Sequence, residues 1–331
     1  MQLLTHSRMS CARRCLREHY YRYEVGIVRD AEAKYFRIGH AVHNALEAWH
    51  GRNDADGAVA ALAAIDDPHD QAAAIALIDG YIDLAEPLEM THAEQEFQIP
   101  LRNPETGAAS RTFELAGKID GLTDDYVVEH KTTSEDIGPD SEYWARLRVD
   151  PQISLYALAS GRNKVFYNVI RRPTLRPRNV PVLDADGVKI VLDDTTGERV
   201  QNKNGTWKQA ACEGCTLHTR EETPEEYGAR IADDIRERPE FYFARREVPI
   251  LDDHLEEFHE EVWQHAKLLM HCQNTGHWFR NVSRVTCSNC QYSNICLQSI
   301  RLEFNTDGSV RPPSGYIAEK PHKELANVEA A

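Results

Sequence analysis

Two short stretches, Gly117-Lys118-Ile119-Asp120-Gly121 and Val127-Val128-Glu129-His130-Lys131, decide the fold of this chain. Each reads as a β-strand, and a strand turns successive side chains to opposite faces. Glu129 and Lys131 therefore share one face of the second strand. If the two strands pair as a hairpin, Asp120 joins them. The pattern predicts two carboxylates and a lysine at one place on a small sheet.

This combination of side chains has a definite chemistry. Converging carboxylate oxygens are the ligands that Mg²⁺ and Mn²⁺ prefer, and an ammonium group beside them can orient water or stabilise charge on a phosphate. The combination therefore favours a hydrolytic site. An ordinary charged hairpin is the alternative, because an Asp followed at a distance by Glu-x-Lys is common by chance, so the surrounding sequence has to decide.

The surrounding sequence alternates between helical and strand-like periodicity, which predicts an α/β fold. Ser7 is a candidate cap for a helix that runs to about Tyr23. The other predicted helices are one that carries Ile38 to Trp49, an alanine-rich one over about 67–84, and those over 143–159, 223–236 and 252–273. The predicted strands cover 93–102, 111–121, 125–131, 165–170 and 241–250.

Residues 173–222 interrupt this alternation. They are poor in apolar residues and carry the turn signals Asp184-Ala185-Asp186-Gly187 and Asn204-Gly205, so we predict a hairpin-rich insertion and not a second domain. The insertion lies within one domain over 1–300. Residues 301–331, with Pro312-Pro313 and a charged end, are predicted to form a flexible C-terminal tail.

Composition and charge narrow the possible classes of protein. The chain has 331 residues, is 41% hydrophobic and has a formal net charge of −15, which argues against a uniform positive surface. Arginines nevertheless concentrate in three places that can contact nucleic acid or simply be solvated, namely 8–22, 171–178 and 245–246. Because no apolar run of about 20 residues and no signal peptide is present, we expect a cytoplasmic protein without membrane segments.

Two further motifs lie on either side of the Asp120 and Glu129-x-Lys131 strands. Residues 39–47, Gly-His-Ala-Val-His-Asn-Ala-Leu-Glu, look like a helix that bears a metal-binding histidine, with the match at His43. Gln152 and Tyr156 lie four apart, on one helix face, and look like a Gln-x-x-x-Tyr motif. Taken singly, each is more typical of an ordinary helix face. In this order they resemble the RecB- and AddB-like, CRISPR-associated exonuclease-like branch of the PD-(D/E)XK nucleases, over nearly the whole chain except 173–222.

This resemblance implies a restriction-endonuclease-like core, in which helices flank a small mixed central sheet. It implies that His43, Asp120 and Glu129 ligate a catalytic Mg²⁺ or Mn²⁺, together with the backbone carbonyl of His130. Lys131 would then serve the attacking water. By the same resemblance, Gln152 and Tyr156 position DNA or the lysine as part of the catalytic set. Glu94 is assigned a supporting place around the metal.

The cysteines predict a second metal group. Cys287, Cys290 and Cys296 form a C-x2-C-x5-C pattern, and eight cysteines in a chain without an export signal favour metal binding over disulfides. Four thiolates suit either Zn²⁺ or a [4Fe–4S] cluster, and the spacing alone slightly favours zinc.

Cys15, between Ser7-Arg8-Met9 and Tyr20-Tyr21-Arg22-Tyr23, resembles the N-terminal cluster motif of the same nuclease branch, whereas Cys11 matches less well. The resemblance therefore implies a [4Fe–4S] cluster on Cys15, Cys287, Cys290 and Cys296, which joins the N- and C-terminal segments. Cys212 and Cys215, with His218 close behind, form a candidate half of a zinc site that Cys272 could complete.

From this resemblance we expect a metal-dependent DNA nuclease, and specifically a single-strand DNA exonuclease of recombination, repair or phage DNA processing, with a helicase or recombination protein as partner. One alternative is a catalytically silent DNA-binding module, which the intact Asp120, Glu129 and Lys131 disfavour. The other is a zinc-stabilised endonuclease that cuts duplex DNA.

Overall fold

The computed structural model describes residues 1–30 and 34–325. Its helices are α1 (His6–Arg14), α2 (Leu16–His19), α3 (Lys34–Arg52), α4 (Ala55–Ala61), α5 (Pro68–Leu84), α6 (Glu142–Leu147), α7 (Pro151–Ser160), α8 (Pro224–Glu237), α9 (Pro239–Tyr242), α10 (Asp252–Thr275), α11 (Arg284–Ser288) and α12 (Ser293–Leu297). A π-helical turn covers Tyr20–Glu24, and 3-10 turns cover Leu62–Ala64 and Lys323–Leu325.

The strands are β1 (Gln2–Leu4), β2 (Ile27–Arg29), β3 (His92–Arg102), β4 (Ala109–Leu122), β5 (Val127–Thr133), β6 (Lys164–Arg171), β7 (Asn179–Pro181), β8 (Val191–Asp193), β9 (Cys215–Leu217), β10 (Thr219–Glu221), β11 (Phe243–Pro249), β12 (Glu303–Phe304), β13 (Val310–Arg311) and β14 (Tyr316–Ala318).

A mixed six-stranded sheet is the centre of the molecule. Its strand order is β1-β4-β5-β6-β11, and β3 pairs with the other edge of β4. β1 and β5 pair with opposite ends of the same edge of β4, β1 in parallel and β5 antiparallel. β5 and β6 run parallel, joined by α6 and α7. The central sheet flanked by helices agrees with the fold class that the sequence predicts.

Helices cover both faces of the sheet because its strands carry apolar side chains on both sides. Val165, Tyr167 and Val169 of β6 pack with α1, α7 and α10 in one core. Ile170 turns to the other face and packs with α3, α5 and α8 in a second core. Strands with apolar residues on both faces are expected where helices cover both sides.

Local capping chemistry sets several helix boundaries. Pro151 and Pro224 each occupy a first-turn position, and Thr223 forms a capping box with Glu226. The N-terminal helix differs from the prediction. Its cap is Thr5 and not Ser7, because the Thr5 hydroxyl accepts the Arg8 N–H at 3.2 Å. The helix also breaks at an extended Cys15 and continues through α2 into the π-helical turn.

The segment between β6 and α8 contains short antiparallel strand pairs. β7 pairs with β10 and β8 with β9, both antiparallel. Isolated bridges continue the ladder outward to the pair formed by Gln201 and Trp207. We call residues 173–222 the arm.

The C-terminal region differs from the flexible tail predicted over 301–331. β14 pairs with β2 near the N-terminus, and Tyr316 packs with Tyr21 and Tyr292 in a third, small core. Leu325 is also buried. A three-residue strand shows no periodicity of its own, and its order comes from a partner almost 300 residues away. Residues 326–331 of the predicted tail lie outside the described residues.

None of the helices in the described part of the chain has the length and apolar content that a membrane crossing requires.

Candidate metal centre and catalytic lysine

Three side chains from three elements meet beside the central sheet. His43 comes from α3, Glu94 from β3 and Asp120 from β4, and one ligand atom of each lies within 4.8 Å of the others. His43 Nε2 is 3.1 Å from an Asp120 carboxylate oxygen, and His43 Nδ1 is 4.0 Å from Glu94. Among the described residues, this is the group of histidines and acids close enough to share a cation.

Glu94 reaches this group through an unusual backbone conformation. Its φ is +53°, and its neighbours Ala93 and Gln95 pair in register with Gly121 and Ile119, which places Glu94 opposite Asp120. Lys118 forms an ion pair with Glu94. The sequence assigned Glu94 only a supporting place, because a positive φ inside a strand leaves no sequence signal when the residue is not glycine.

Glu129 lies next to this group but faces the lysine. It is 2% exposed, and its Oε1 is 2.9 Å from Lys131 Nζ. Its Oε2 is buried without a hydrogen-bond partner among the described residues. Burial and the nearby Asp120 carboxylate raise the pKa of Glu129 to about 8, although Lys131 acts in the opposite direction. A buried carboxylate with one free oxygen is poised to accept a cation or a proton.

Lys131 is held by three acceptors. Besides Glu129, its ammonium lies 3.1 Å from an Asp150 carboxylate oxygen and donates to Gln152 Oε1 at 2.7 Å. Gln152 in turn donates to the Tyr156 hydroxyl at 3.0 Å. Burial disfavours the ammonium, but the carboxylates of Glu129 and Asp150 outweigh it, so the pKa of Lys131 is raised. The lysine therefore remains a cation in this arrangement.

Asp150 is a site residue that sequence reasoning missed. One of its oxygens caps α7 by accepting the Gln152 N–H at 2.9 Å, while the other faces Lys131. The available signal was an Asp directly before a proline at the first helical position. The helix was predicted over 143–159, whereas in the structure α6 ends at Leu147 and α7 begins at Pro151.

His43 on α3 and Asp120 on β4 stabilise opposite charges on each other. Burial opposes a charged His43, yet Asp120, followed by Glu94 and Glu129, raises its pKa to about 9. Burial favours a neutral Asp120, but His43 holds the pKa of this carboxyl below its usual value. Asp120 also accepts the His130 backbone N–H at 2.8 Å. The hairpin thus fixes Asp120 directly beside the Glu129-His130-Lys131 segment.

The His130 side chain turns to the opposite face of β5, as strand alternation predicts. Its ring stacks on His50 with centroids 5.0 Å apart, and its Nδ1 lies 3.0 Å from Asn168 Nδ2. His50 is itself 2.8 Å from the Tyr81 hydroxyl. Burial lowers the pKa of His130 to about 4, so the face of β5 away from Lys131 carries a neutral polar cluster.

The cysteines predicted to bind a cluster line one cleft. Cys15 lies at the break between α1 and α2, and Cys287, Cys290 and Cys296 come from the α11–α12 region. Two donors point at sulfur atoms in this cleft. The Asn281 backbone N–H is 3.4 Å from Cys15 Sγ, and Arg280 Nε is 3.3 Å from Cys296 Sγ. N–H groups aimed at sulfur are compatible with thiolate ligands of a metal group.

The remaining cysteines lie elsewhere. Cys11 is buried, and burial followed by Glu18 raises the pKa of its thiol to about 12. Cys212 and Cys215 form a disulfide with each other in the arm. Cys272 is buried in the core that α10 shares with the sheet. The structure therefore does not bring Cys212, Cys215 and Cys272 together as the zinc site that the spacing suggested.

The chain was compared with curated protein sequences, with solved structures and with protein-family models. No curated protein sequence matches this chain. One solved structure, the crystal structure of SSO0001, is 12% identical, and the match covers 88% of this chain and 95% of that one with a TM-score of 0.31. Residues 3–297 match the family model of the PD-(D/E)XK nuclease superfamily, and because the match spans nearly the whole chain, the protein belongs to that superfamily.

Proposed function

We propose that this protein is a metal-dependent deoxyribonuclease that hydrolyses phosphodiester bonds. The observation that carries the proposal is Lys131. A buried ammonium is held by Glu129, Asp150 and Gln152 beside a group of metal-ligand type, and this combination fits hydrolysis at a phosphate. The superfamily consists of nucleases, which supports the same reading.

The residues present fit a hard divalent cation. His43, Glu94 and Asp120 offer one nitrogen and two carboxylate oxygens, and the free Oε2 of Glu129 offers a further buried acceptor. We assign His43, Asp120 and Glu129 as ligands and add Glu94 to them. Mg²⁺ and Mn²⁺ both suit this donor set, and the histidine makes Mn²⁺ a rival of Mg²⁺. When bound, the cation supplies Lewis-acid assistance at the scissile phosphate.

The chain's own groups account for the remaining chemistry. In the overall reaction water adds to phosphorus, one P–O ester bond breaks, and the departing oxygen takes up a proton. Lys131 Nζ, as a cation, orients the water or stabilises the developing charge on the phosphate. Gln152 and Tyr156 fix the position of that ammonium through the chain of hydrogen bonds described above. Such fixed positioning lowers the barrier because it is established before the reaction begins.

We further propose action on single-stranded DNA from its ends, in recombination, repair or phage DNA processing, alongside a helicase or recombination partner. This part rests on the resemblance to the RecB- and AddB-like branch. The same resemblance, with the four cysteines around one cleft and the N–H groups aimed at two of them, supports a [4Fe–4S] cluster on Cys15, Cys287, Cys290 and Cys296. Such a cluster has the structural role of joining the two ends of the chain.

The test is cleavage of end-labelled single- and double-stranded DNA with Mg²⁺ or Mn²⁺ by anaerobically purified protein. Wild type is compared with Lys131→Ala and with Lys164→Ala, a matched control on the neighbouring strand β6. We expect wild type and Lys164→Ala to cut the single strand and Lys131→Ala to lose this activity by a factor on the order of a hundred or more. The ladder of products separates exonuclease from endonuclease.

Two results would count against the proposal. If wild type and Lys131→Ala both bind DNA and neither cuts with any divalent cation, the chain is a DNA-binding module. If Lys131→Ala cuts as fast as wild type, the activity belongs to another site or to a contaminant.

A further inference from the structure

The arm begins beside the candidate active site. β5 and β6 are parallel, and Thr133, two residues after Lys131, pairs with Arg171 at the end of β6. The Arg172 N–H then donates to the Thr133 carbonyl at 2.7 Å. The chain therefore leaves the sheet for the arm at the C-terminal end of β6, beside the end of β5 that carries Lys131.

The base of the arm is basic in an otherwise acidic chain. The protein has 53 aspartates and glutamates in 331 residues, yet it has none between Asp150 and Asp184. That stretch carries four arginines at and just before the start of the arm, and of these Arg176 and Arg178 are exposed. Arg171 lies 3.6 Å from Asp136 and Arg178 lies 3.9 Å from Glu222, which leaves Arg172 and Arg176 without a carboxylate partner among the described residues. A local excess of positive charge next to a site for phosphate chemistry favours contact with a polyanion.

The outer hairpin of the arm repeats this composition and adds an aromatic ring. Residues 199–212 contain no acid but include Lys203, Lys208 and Trp207. Trp207 is 38% exposed, and the Arg199 guanidinium lies 4.3 Å from the centre of its ring. Arg199 is anchored in turn by Asp184 at 2.6 Å. Neither Lys203 nor Lys208 forms an ion pair with a carboxylate of the described residues.

This geometry fits a base that stacks on the indole. Arg199 holds the ring from one side, so the side chain is fixed before a ligand arrives, and its exposed surface remains available. Bases of a duplex are already stacked on one another, whereas those of a single strand are free to stack on an aromatic side chain. Lysines flanking the ring can contact the phosphates of the same strand.

We propose that the arm binds an unpaired DNA strand outside the active site, with a base stacked on Trp207 and phosphates at Lys203, Lys208 and the arginines of the arm base. The inference rests on the proposed nuclease function and adds to it a second contact for the strand. The arm thereby favours a single strand over a blunt duplex.

The test measures binding of a fluorescent single-stranded oligonucleotide and of a blunt duplex by anisotropy. It uses the full chain on a Lys131→Ala background, so that the strand is not cut. Trp207→Ala is compared with Trp207→Phe, and Lys203→Gln/Lys208→Gln with Lys267→Gln, an exposed lysine of α10. Hydrolysis of bis(p-nitrophenyl) phosphate by the corresponding proteins with Lys131 intact monitors the chemistry alone. Thermal melting checks that each variant folds.

We expect Trp207→Ala to weaken single-strand binding roughly ten- to a hundredfold and Trp207→Phe to retain most of it. The double lysine variant lowers the slope of log affinity against log salt by about 1.4, which is two phosphate contacts on a single strand. Duplex binding changes less, Lys267→Gln binds as the parent does, and all variants hydrolyse the small phosphodiester at the wild-type rate.

Unchanged single-strand affinity in both arm variants overturns the proposal and leaves the arm as a surface for a protein partner. Equal losses for strand and duplex, or an equal loss in Lys267→Gln, overturn it as well, because the arm would then contribute only general charge. If intact protein hydrolyses neither DNA nor the small phosphodiester, the proposed function fails, whatever the arm variants bind.

Discussion

At the scale of single residues, the site depends on charges that fix one another. Lys131 stays cationic because the carboxyl groups of Glu129 and Asp150 face it, and its ammonium in turn opposes the rise in the pKa of Glu129 that burial and Asp120 cause. A lysine held by several acceptors cannot easily give up its proton. We therefore expect Lys131 to contribute electrostatic positioning and not general-base catalysis, a role in which a neutral amide, Gln152, can serve as its third contact.

Another single residue, His19, makes the stability of the fold depend on pH. It is fully buried, and Arg8 Nε donates to its Nε2 at 3.1 Å, so the ring is held neutral. Burial, followed by the charge of Arg8, lowers its pKa to about 3. An unfolded histidine titrates near 6.5, so below that pH the unfolded state gains a proton that the folded state does not. Stability is present above pH 6.5 and falls as the pH drops toward the folded pKa.

We therefore expect the free energy of unfolding to fall by about 1 kcal/mol between pH 6.5 and pH 5.5 because of His19 alone. Urea unfolding of wild type and His19→Gln at several pH values measures the difference in slope. His277→Gln is the control, because its imidazole is exposed. A pH slope in His19→Gln equal to that of wild type would show that His19 is not held neutral in the fold.

At the scale of elements, the important feature is that α7 begins at the candidate site, beside Lys131. Its cap residue Asp150 divides its carboxylate between the helix and Lys131. Pro151 fixes the first turn, and Gln152 and Tyr156 then follow on the face that meets the lysine. The start of the helix sets the position of the ammonium, because one side chain, Asp150, both caps the helix and faces Lys131.

Because Asp150 both caps α7 and faces Lys131, two substitutions of this residue should have different effects. Asp150→Asn keeps the cap acceptor and removes the charge that faces Lys131, whereas Asp150→Ala removes both. We expect both to lower kcat on single-stranded DNA on the order of tenfold or more, because Lys131 is less firmly held. Only Asp150→Ala should also lose about 1 kcal/mol of stability.

Asp67 provides the matched control for Asp150. It caps α5 in the same way, by accepting the backbone N–H groups of His69 and Asp70. Asp67→Ala should lose similar stability with kcat unchanged. Wild-type kcat in Asp150→Asn, measured beside urea unfolding, would show that the carboxylate does not position the lysine.

The elements also show what a sequence can predict. Strand alternation placed Asp120 beside the Glu129-x-Lys131 face, and this signal is local, so it is readable from the chain. The start of α7 at Pro151 falls inside the helical segment predicted over 143–159. Glu94 required a positive φ within β3, and β1 required a parallel partner more than a hundred residues away. Such features are set by tertiary contacts, which periodicity and propensity do not record.

At the scale of the whole molecule, the two ends of the chain close on each other. β14 pairs with β2, Arg17 Nε donates to the Trp278 carbonyl at 2.9 Å, and the Tyr292 hydroxyl donates to the Ile27 carbonyl at 2.7 Å. These contacts surround the cysteine cleft. The third core around them is small, so a metal group on four cysteines from both ends would add much of the stability of this region.

Two cysteine substitutions test this closure of the chain ends. Cys15→Ser removes a thiolate near the N-terminus, and Cys287→Ser removes one near the C-terminus. Each should abolish the visible absorption of a [4Fe–4S] cluster and lower the melting temperature by several degrees. Losing the cluster releases a loop of more than two hundred residues, whose closure restricts the unfolded chain.

Cys212→Ser/Cys215→Ser is the matched control, because this pair lies in the arm and away from the cleft. This double variant should keep both the colour of the protein and the stability of the cleft region. Absorption spectra and melting of anaerobically purified proteins give the answer. A colourless wild type that contains zinc would assign the four cysteines to a structural zinc site, and unchanged melting in both single variants would show that the ends are held by protein contacts alone.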